Sequence, residues 1–209
     1  MSPWVRRSAQ LSVGIQFFTN VLIVSAFFVD WETVPNDLNA VLILEGASQF
    51  IEFLWYAVVL WRNEEIVAWK RYVDWFLSTP LMLTSLALFF CYRADRSIGD
   101  DPAAIAVTIA FNQLMLVSGY AAETGRVPLF YGTFAGLCCL LNSFVALSAF
   151  VRDSLSTLLH ALTLAVWSLY GAAALLEPVP KNVSYNVLDL FSKNCFGVFL
   201  TVYTLVTYS

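Results

Sequence analysis

Residues 188–197 read Leu188-Asp189-Leu190-Phe191-Ser192-Lys193-Asn194-Cys195-Phe196-Gly197. An aspartate and a lysine stand one helical turn apart inside an apolar run over 183–208. Such a run exceeds the ~20 residues that cross ~30 Å of hydrocarbon as a helix. Inside lipid the backbone must satisfy its own polar groups, so the run is predicted to be helical. A charge at that depth costs ~3 kcal/mol or more. Lys193 lies too far from either end to reach water by snorkelling. It therefore needs an anionic partner, a lowered pKa or covalent modification.

Six more apolar segments lie upstream, at 10–29, 38–61, 69–92, 102–121, 128–150 and 154–176. The breaks between them are short and legible: Asp30 to Asp37, Arg62 to Glu65, Arg93 to Pro102, Glu123 to Pro128, Arg152–Asp153 and Glu177 to Asn182. None is long enough to hold a further domain. The reading is all-α, a bundle of seven transmembrane helices forming a single domain over 1–209 in a lipid bilayer. Composition agrees. The chain is 59% hydrophobic and 12% charged, where a soluble domain carries about 25% charge. Net charge is −4 with no basic run, so nucleic acid is not an expected partner. Cys91, Cys138, Cys139 and Cys195 all fall in apolar segments and read as small packed residues, not a disulfide framework. His160 has no second ligand at metal spacing, so no metal site is expected. Arg6 and Arg7 precede an apolar stretch too long for a signal core, with no small-residue cleavage site after it; it is read as the first membrane helix. No enzymatic chemistry is expected.

Five charges lie well inside the spans: Glu45, Glu52, Asp74, Asp189 and Lys193. Asp189 shares a helix face with Lys193 at i, i+4. On the third segment Asp74, Ser78 and Ser85 share a face, and Arg71 lies near one end. Two carboxylates converging on a buried lysine would hold a proton on a nitrogen that desolvation would otherwise strip. A structural ion pair in the bundle core is the plainer alternative. A second polar lane is visible on the first two segments. Glu45 and Glu52 are seven apart with Ser48 and Gln49 between them, and Ser12, Gln16, Thr19 and Asn20 follow helical spacing. Buried acids and amides along a lane mark an ion pathway; interhelical hydrogen bonding is the other explanation.

These motifs carry a resemblance. Arg71-Tyr72-Val73-Asp74-Trp75-Phe76-Leu77-Ser78-Thr79-Pro80-Leu81 resembles the RYxDWxxTTPL signature of the microbial (type 1) rhodopsins, with Ser78 for the first threonine. Residues 188–197 are similar to that family's LDxxxKxxFG. Trp167-Ser168-Leu169-Tyr170 resembles WSAYP, with Gly171 replacing the proline, and Asn112 to Gly119 resembles DGIMIGTG. The resemblance implies all-trans retinal as a Schiff base on Lys193, with Asp74 and Asp189 as counterions and proton acceptor and Arg71 beneath them. It implies a chromophore pocket of Trp75, Ser78, Thr79, Met115, Ser118, Gly119, Tyr131, Trp167 and Tyr170. It also places the amino terminus outside. Counting cations gives the opposite bias, with Arg6, Arg7, Arg62, Arg126 and Lys181 on the amino-terminal side against Arg93, Arg96 and Arg152.

Fold does not fix function within such a family. A proton pump of the bacteriorhodopsin type needs an acidic donor eleven residues after the acceptor; Ser85 stands there, and a hydroxyl cannot reload the nitrogen as an acid would. The pair of outward-side acids that releases protons in such pumps has no clean match; Glu177 is the only candidate. Asp74, and the lack of charge at Thr79, argue against a chloride pump. The ExxxxxxE of the second segment, the early serine and Lys193-Asn194 resemble the group 1 viral rhodopsins, encoded by large algal or protist viruses and described as light-gated channels for monovalent cations. That resemblance places Ser12, Glu45, Glu52 and Asn194 at the constrictions and the protein in a membrane of the infected host cell. An outward proton pump and a photosensor are the alternatives, and a second copy of the chain is a candidate partner.

Overall fold

The computed structural model describes residues 1–26 and 34–208. The predicted break at Asp30 to Asp37 lies partly outside them. Among the described residues, seven helices are each long and apolar enough to cross a membrane: α1 (Pro3–Ala26), α2 (Asn36–Trp61), α3 (Ala68–Arg93), α4 (Pro102–Glu123), α5 (Leu129–Leu147), α6 (Ser154–Ala174) and α7 (Pro178–Tyr208). Two bounds differ appreciably from the sequence reading. The first helix begins at Pro3 instead of residue 10, and the seventh at Pro178 instead of residue 183. In both cases a proline and polar residues suggested a loop. A proline at the first helical position loses nothing, because that N–H has no intrahelical partner anyway.

The connections follow from local chemistry. Asn63 and Asp95 close α2 and α3 at φ 51° and 52°, and Gly125 follows α4 at φ 71°; these are the residue types that tolerate the left-handed region. Asp101 caps α4 by accepting from the Ala104 amide at 3.0 Å. Asp153 caps α6, accepting from the Leu155 and Ser156 amides at 2.9 and 3.2 Å. Large apolar side chains face outward along the helices, Phe18, Phe130 and Val145 at 70% exposure or above. That is the surface a lipid solvent requires.

Pro80 lies inside α3. Its missing N–H would leave the Phe76 carbonyl without a helical partner; Gln113 of α4 donates to that oxygen at 3.2 Å. Asn112 donates to Thr79 Oγ1 at 2.7 Å one position away. The proline break is thus converted into an α3–α4 staple beside the site. In α7 the chain widens to a π turn over Leu190–Asn194, the segment that holds Lys193. Such bulges cluster at functional positions.

Candidate functional site

Lys193 is 2% exposed. Its Nζ lies 3.1 Å from Asp74 Oδ2 on α3 and 3.6 Å from Glu52 Oε1 on α2. Two carboxylates therefore do converge on the lysine, but the second is Glu52. Asp189 makes its ion pair with Arg71 instead, at 3.2 Å.

The reason is that Asp189 is already saturated. Its Oδ2 accepts from Tyr56 at 2.6 Å and Arg71 at 3.2 Å, and its Oδ1 from Tyr170 at 2.8 Å and Trp75 at 3.3 Å. Arg71 also donates to Asn186 Oδ1 at 2.7 Å, and its guanidinium lies 5.2 Å from the rings of both Trp55 and Tyr185. Tyr56, Asn186 and Trp55 were not singled out from the sequence. The signal was present, since Tyr56 continues the Glu45–Glu52 stripe and Asn186 lies one turn before Asp189.

On the side of α4, α5 and α6 a cavity opens from Lys193. Trp75, Thr79, Met115, Gly119, Trp167 and Tyr170 line it. Ser78, Ser118 and Tyr131 do not. Tyr131 is 68% exposed on the outer face of α5, and Gly132, Thr133 and Gly136 form the wall there. The wall on α5 is thin because α4 and α5 approach closely. A Cβ on Gly132 would meet Ala122 Cβ at 2.5 Å. Ser118 contributes its backbone to that approach, and Ser78 its carbonyl to Ser48 Oγ at 3.3 Å.

On the side of α1 and α2 the packing is polar. Ser12, Gln16, Glu45, Ser48, Gln49 and Glu52 are all buried. Ser12 donates to the Asn186 carbonyl at 3.1 Å. Gln49 donates to Glu45 Oε1 and accepts from Asn194, both at 2.9 Å. The face Glu45–Gln49–Glu52–Tyr56 runs about 16 Å along α2 at 1.5 Å per residue, passing Asn194, Lys193 and Asp189 in turn. Several atoms on or beside this face have no hydrogen-bond partner: both amide atoms of Gln16, Glu45 Oε2, both oxygens of Glu52, whose Oε1 meets Lys193 only as an ion pair at 3.6 Å, and Asn194 Oδ1. Buried polar atoms are nearly always hydrogen-bonded; Asn112 Oδ1, Gln113 Oε1 and Trp167 Nε1, on the side of α4 and α6, also lack a hydrogen bond. Ser85, at the position of a pump's donor, donates to the Val41 carbonyl at 3.3 Å.

Chemically, the lysine can hold a carbonyl group as an imine, with Asp74 placed to exchange its proton. A flat apolar ligand would fit between the Trp75, Trp167 and Tyr170 walls. Among the described residues no group of His, Cys, Asp and Glu side chains is arranged to hold a metal ion.

Comparison with known proteins places this arrangement. The opsin-like protein carO of Fusarium fujikuroi is 29% identical over 157 residues, 64% of this chain and 47% of its own. Halorhodopsin of Halobacterium salinarum is 31% identical over 153 residues, 63% of this chain and 53% of its own. The chain spans about half the length of these curated relatives. Among solved structures, viral rhodopsin OLPVRII superposes with a TM-score of 0.87 at 25% identity, covering 98% of this chain and 99% of its own. The light-driven proton pump LR (Mac) from Leptosphaeria maculans reaches 0.80 at 16% identity, covering 99% and 98%, a likeness of fold. A family model described as bacteriorhodopsin-like protein matches residues 7–207. That match takes in all seven helices and the buried lysine, and the chain belongs to the bacteriorhodopsin-like family of microbial rhodopsins.

Proposed function

We propose that this protein is a light-gated cation channel that carries all-trans retinal on Lys193. The aromatic cavity ending at the lysine fits a flat polyene, and bound retinal would supply light absorption and a light-driven change of shape. The observation that carries the channel reading is the row of buried polar side chains Ser12, Gln16, Glu45, Glu52 and Asn194, four of which keep atoms without a hydrogen bond. Acidic groups at its narrow points favour cations over anions.

The residues then act as follows. In the dark Asp74 and Glu52 hold a positive charge at the Lys193 nitrogen, while Asp189 is held fixed by its four donors. After light, Asp74 Oδ2 takes the proton from that nitrogen across 3.1 Å. The charge pair is lost, and Lys193 and its neighbour Asn194 are released. The Asn194–Gln49–Glu45 chain, which closes the seam by two hydrogen bonds, loosens and hydrates. Monovalent cations then pass between α1, α2, α3 and α7. The amino terminus faces outside in this reading, in a membrane of a virus-infected host.

An outward proton pump is the second reading, favoured by Asp74 in contact with the lysine nitrogen. Voltage-clamp recording of cells supplied with retinal separates the two. A channel gives a light-evoked current that reverses with voltage and follows the sodium or potassium gradient. A current that keeps its outward sign at every voltage refutes the channel and supports the pump.

A further inference from the structure

We infer that Glu123 and Lys181 form a polar seal between the amino-terminal face and the chromophore cavity, and that this seal sets how fast water reaches the nitrogen of Lys193. The inference rests on the retinal reading above but on neither the channel nor the pump.

Glu123 is the last residue of α4. Its Oε1 accepts from Tyr72 at 3.1 Å and Tyr185 at 2.8 Å, and its Oε2 lies 2.9 Å from Lys181 Nζ. The carboxylate is 5% exposed and the lysine 18%. Glu123 and Tyr185 line the cavity that ends at Lys193. The same two residues line a second cavity, which reaches Arg71 from the amino-terminal side and is rimmed by Val67, Pro178 and Asn182. One carboxylate and one phenol are therefore the shared wall between an outward-facing vestibule and the chromophore cavity.

Local helix electrostatics do not explain the pair. A carboxylate at a helix C-terminus and a lysine in the first turn of a helix both oppose the helix dipole. Glu123 is held in place by Lys181 and by the two phenols, and Lys181 by Glu123. Those phenols are in turn packed edge-on against Trp75, with ring centroids 5.2 Å away for Tyr72 and 5.1 Å for Tyr185. A hydrophobic plug would close the gap at least as stably, because desolvating an ion pair offsets most of its attraction. A polar wall differs in that it can open by taking up water, with little rearrangement of the helices.

The test is dark bleaching by hydroxylamine of the purified, retinal-loaded protein. The hydroxylamine nitrogen adds to the carbon of the carbon–nitrogen double bond, and the bond to Lys193 breaks. Retinal leaves as its oxime, and the lysine regains its amine. Glu123→Gln and Lys181→Met are each expected to bleach about tenfold faster than the unaltered chain, a change of about 1.4 kcal/mol in the cost of opening. The double variant is expected to bleach no faster than the faster single one, because the two residues act as one element. Lys70→Met, on the same face but outside both cavities, is expected to leave the rate unchanged. Equal rates in all coloured variants, or single effects that simply multiply in the double variant, would overturn the seal. If the unaltered chain takes up no colour, the retinal reading has failed. The seal, which is defined by access to that chromophore, is then overturned with it.

Discussion

Lys193 lies on the border between two unlike halves of the bundle. Towards α4, α5 and α6 it meets aromatic walls and closely packed small residues, with Gly119 and Gly132 marking places where a Cβ would collide at 2.6 and 2.5 Å. Towards α1 and α2 it meets carboxylates and amides, several without a partner. Lys193 thus stands where an aromatic, closely packed wall meets a wall of buried carboxylates and amides.

The largest expected effect falls on the border itself. Lys193→Ala should remove all visible absorbance from protein purified with retinal, and a coloured variant would break the assignment. Next comes the polar half's anchor. Asp189→Asn leaves the buried Arg71 guanidinium without its ion-pair partner, which typically costs about 3–5 kcal/mol. The melting temperature of the retinal-free chain should fall by many degrees; an unchanged value would mean that Arg71 is held by its other contacts.

A smaller effect is expected at Gly197, where a Cβ would lie 3.0 Å from Ile23 and 3.1 Å from Gln49 Nε2. Gly197→Ala should press on the Gln49–Glu45 pair, at a cost of about 1–3 kcal/mol. It should lower the light-evoked current while leaving the absorption spectrum in place. A shifted spectrum with unchanged current would move Gly197 from the seam to the chromophore half.

The smallest effect belongs to neither half. Glu64, in the turn after α2, has its carboxyl pKa lowered by a hydrogen bond from Lys70. A group lowered on folding contributes stability above its unfolded value, here 4.5, and that contribution is lost as the pH falls through the lowered value. The pair is partly exposed at the surface, so the effect is slight. Glu64→Gln should slightly flatten the fall in melting temperature below that pH, and an equal slope in both proteins would show that the turn is energetically silent.

The sequence by itself determined the seven helices, because twenty apolar residues in a row have one solution in lipid. It also identified Lys193, Asp74, Arg71 and the polar stripe of α2, because charges inside such runs demand partners. Helical spacing could suggest that Asp189 shares a face with Lys193, but it could not say which acid reaches the nitrogen. That was decided across helices. Tyr56, Arg71, Tyr170 and Trp75 converge from α2, α3 and α6 and occupy Asp189, leaving Glu52 for the lysine. Tyr131 was placed in the pocket by the family resemblance, yet its position on α5 turns it outward, and Gly132 takes the wall. Glu123 looked like a loop boundary until α7 brought Lys181 and Tyr185 against it. Spacing along one helix fixes direction about its own axis only. Which side chains meet depends on how helices rotate and tilt against one another, and that is settled by the packing of the whole bundle.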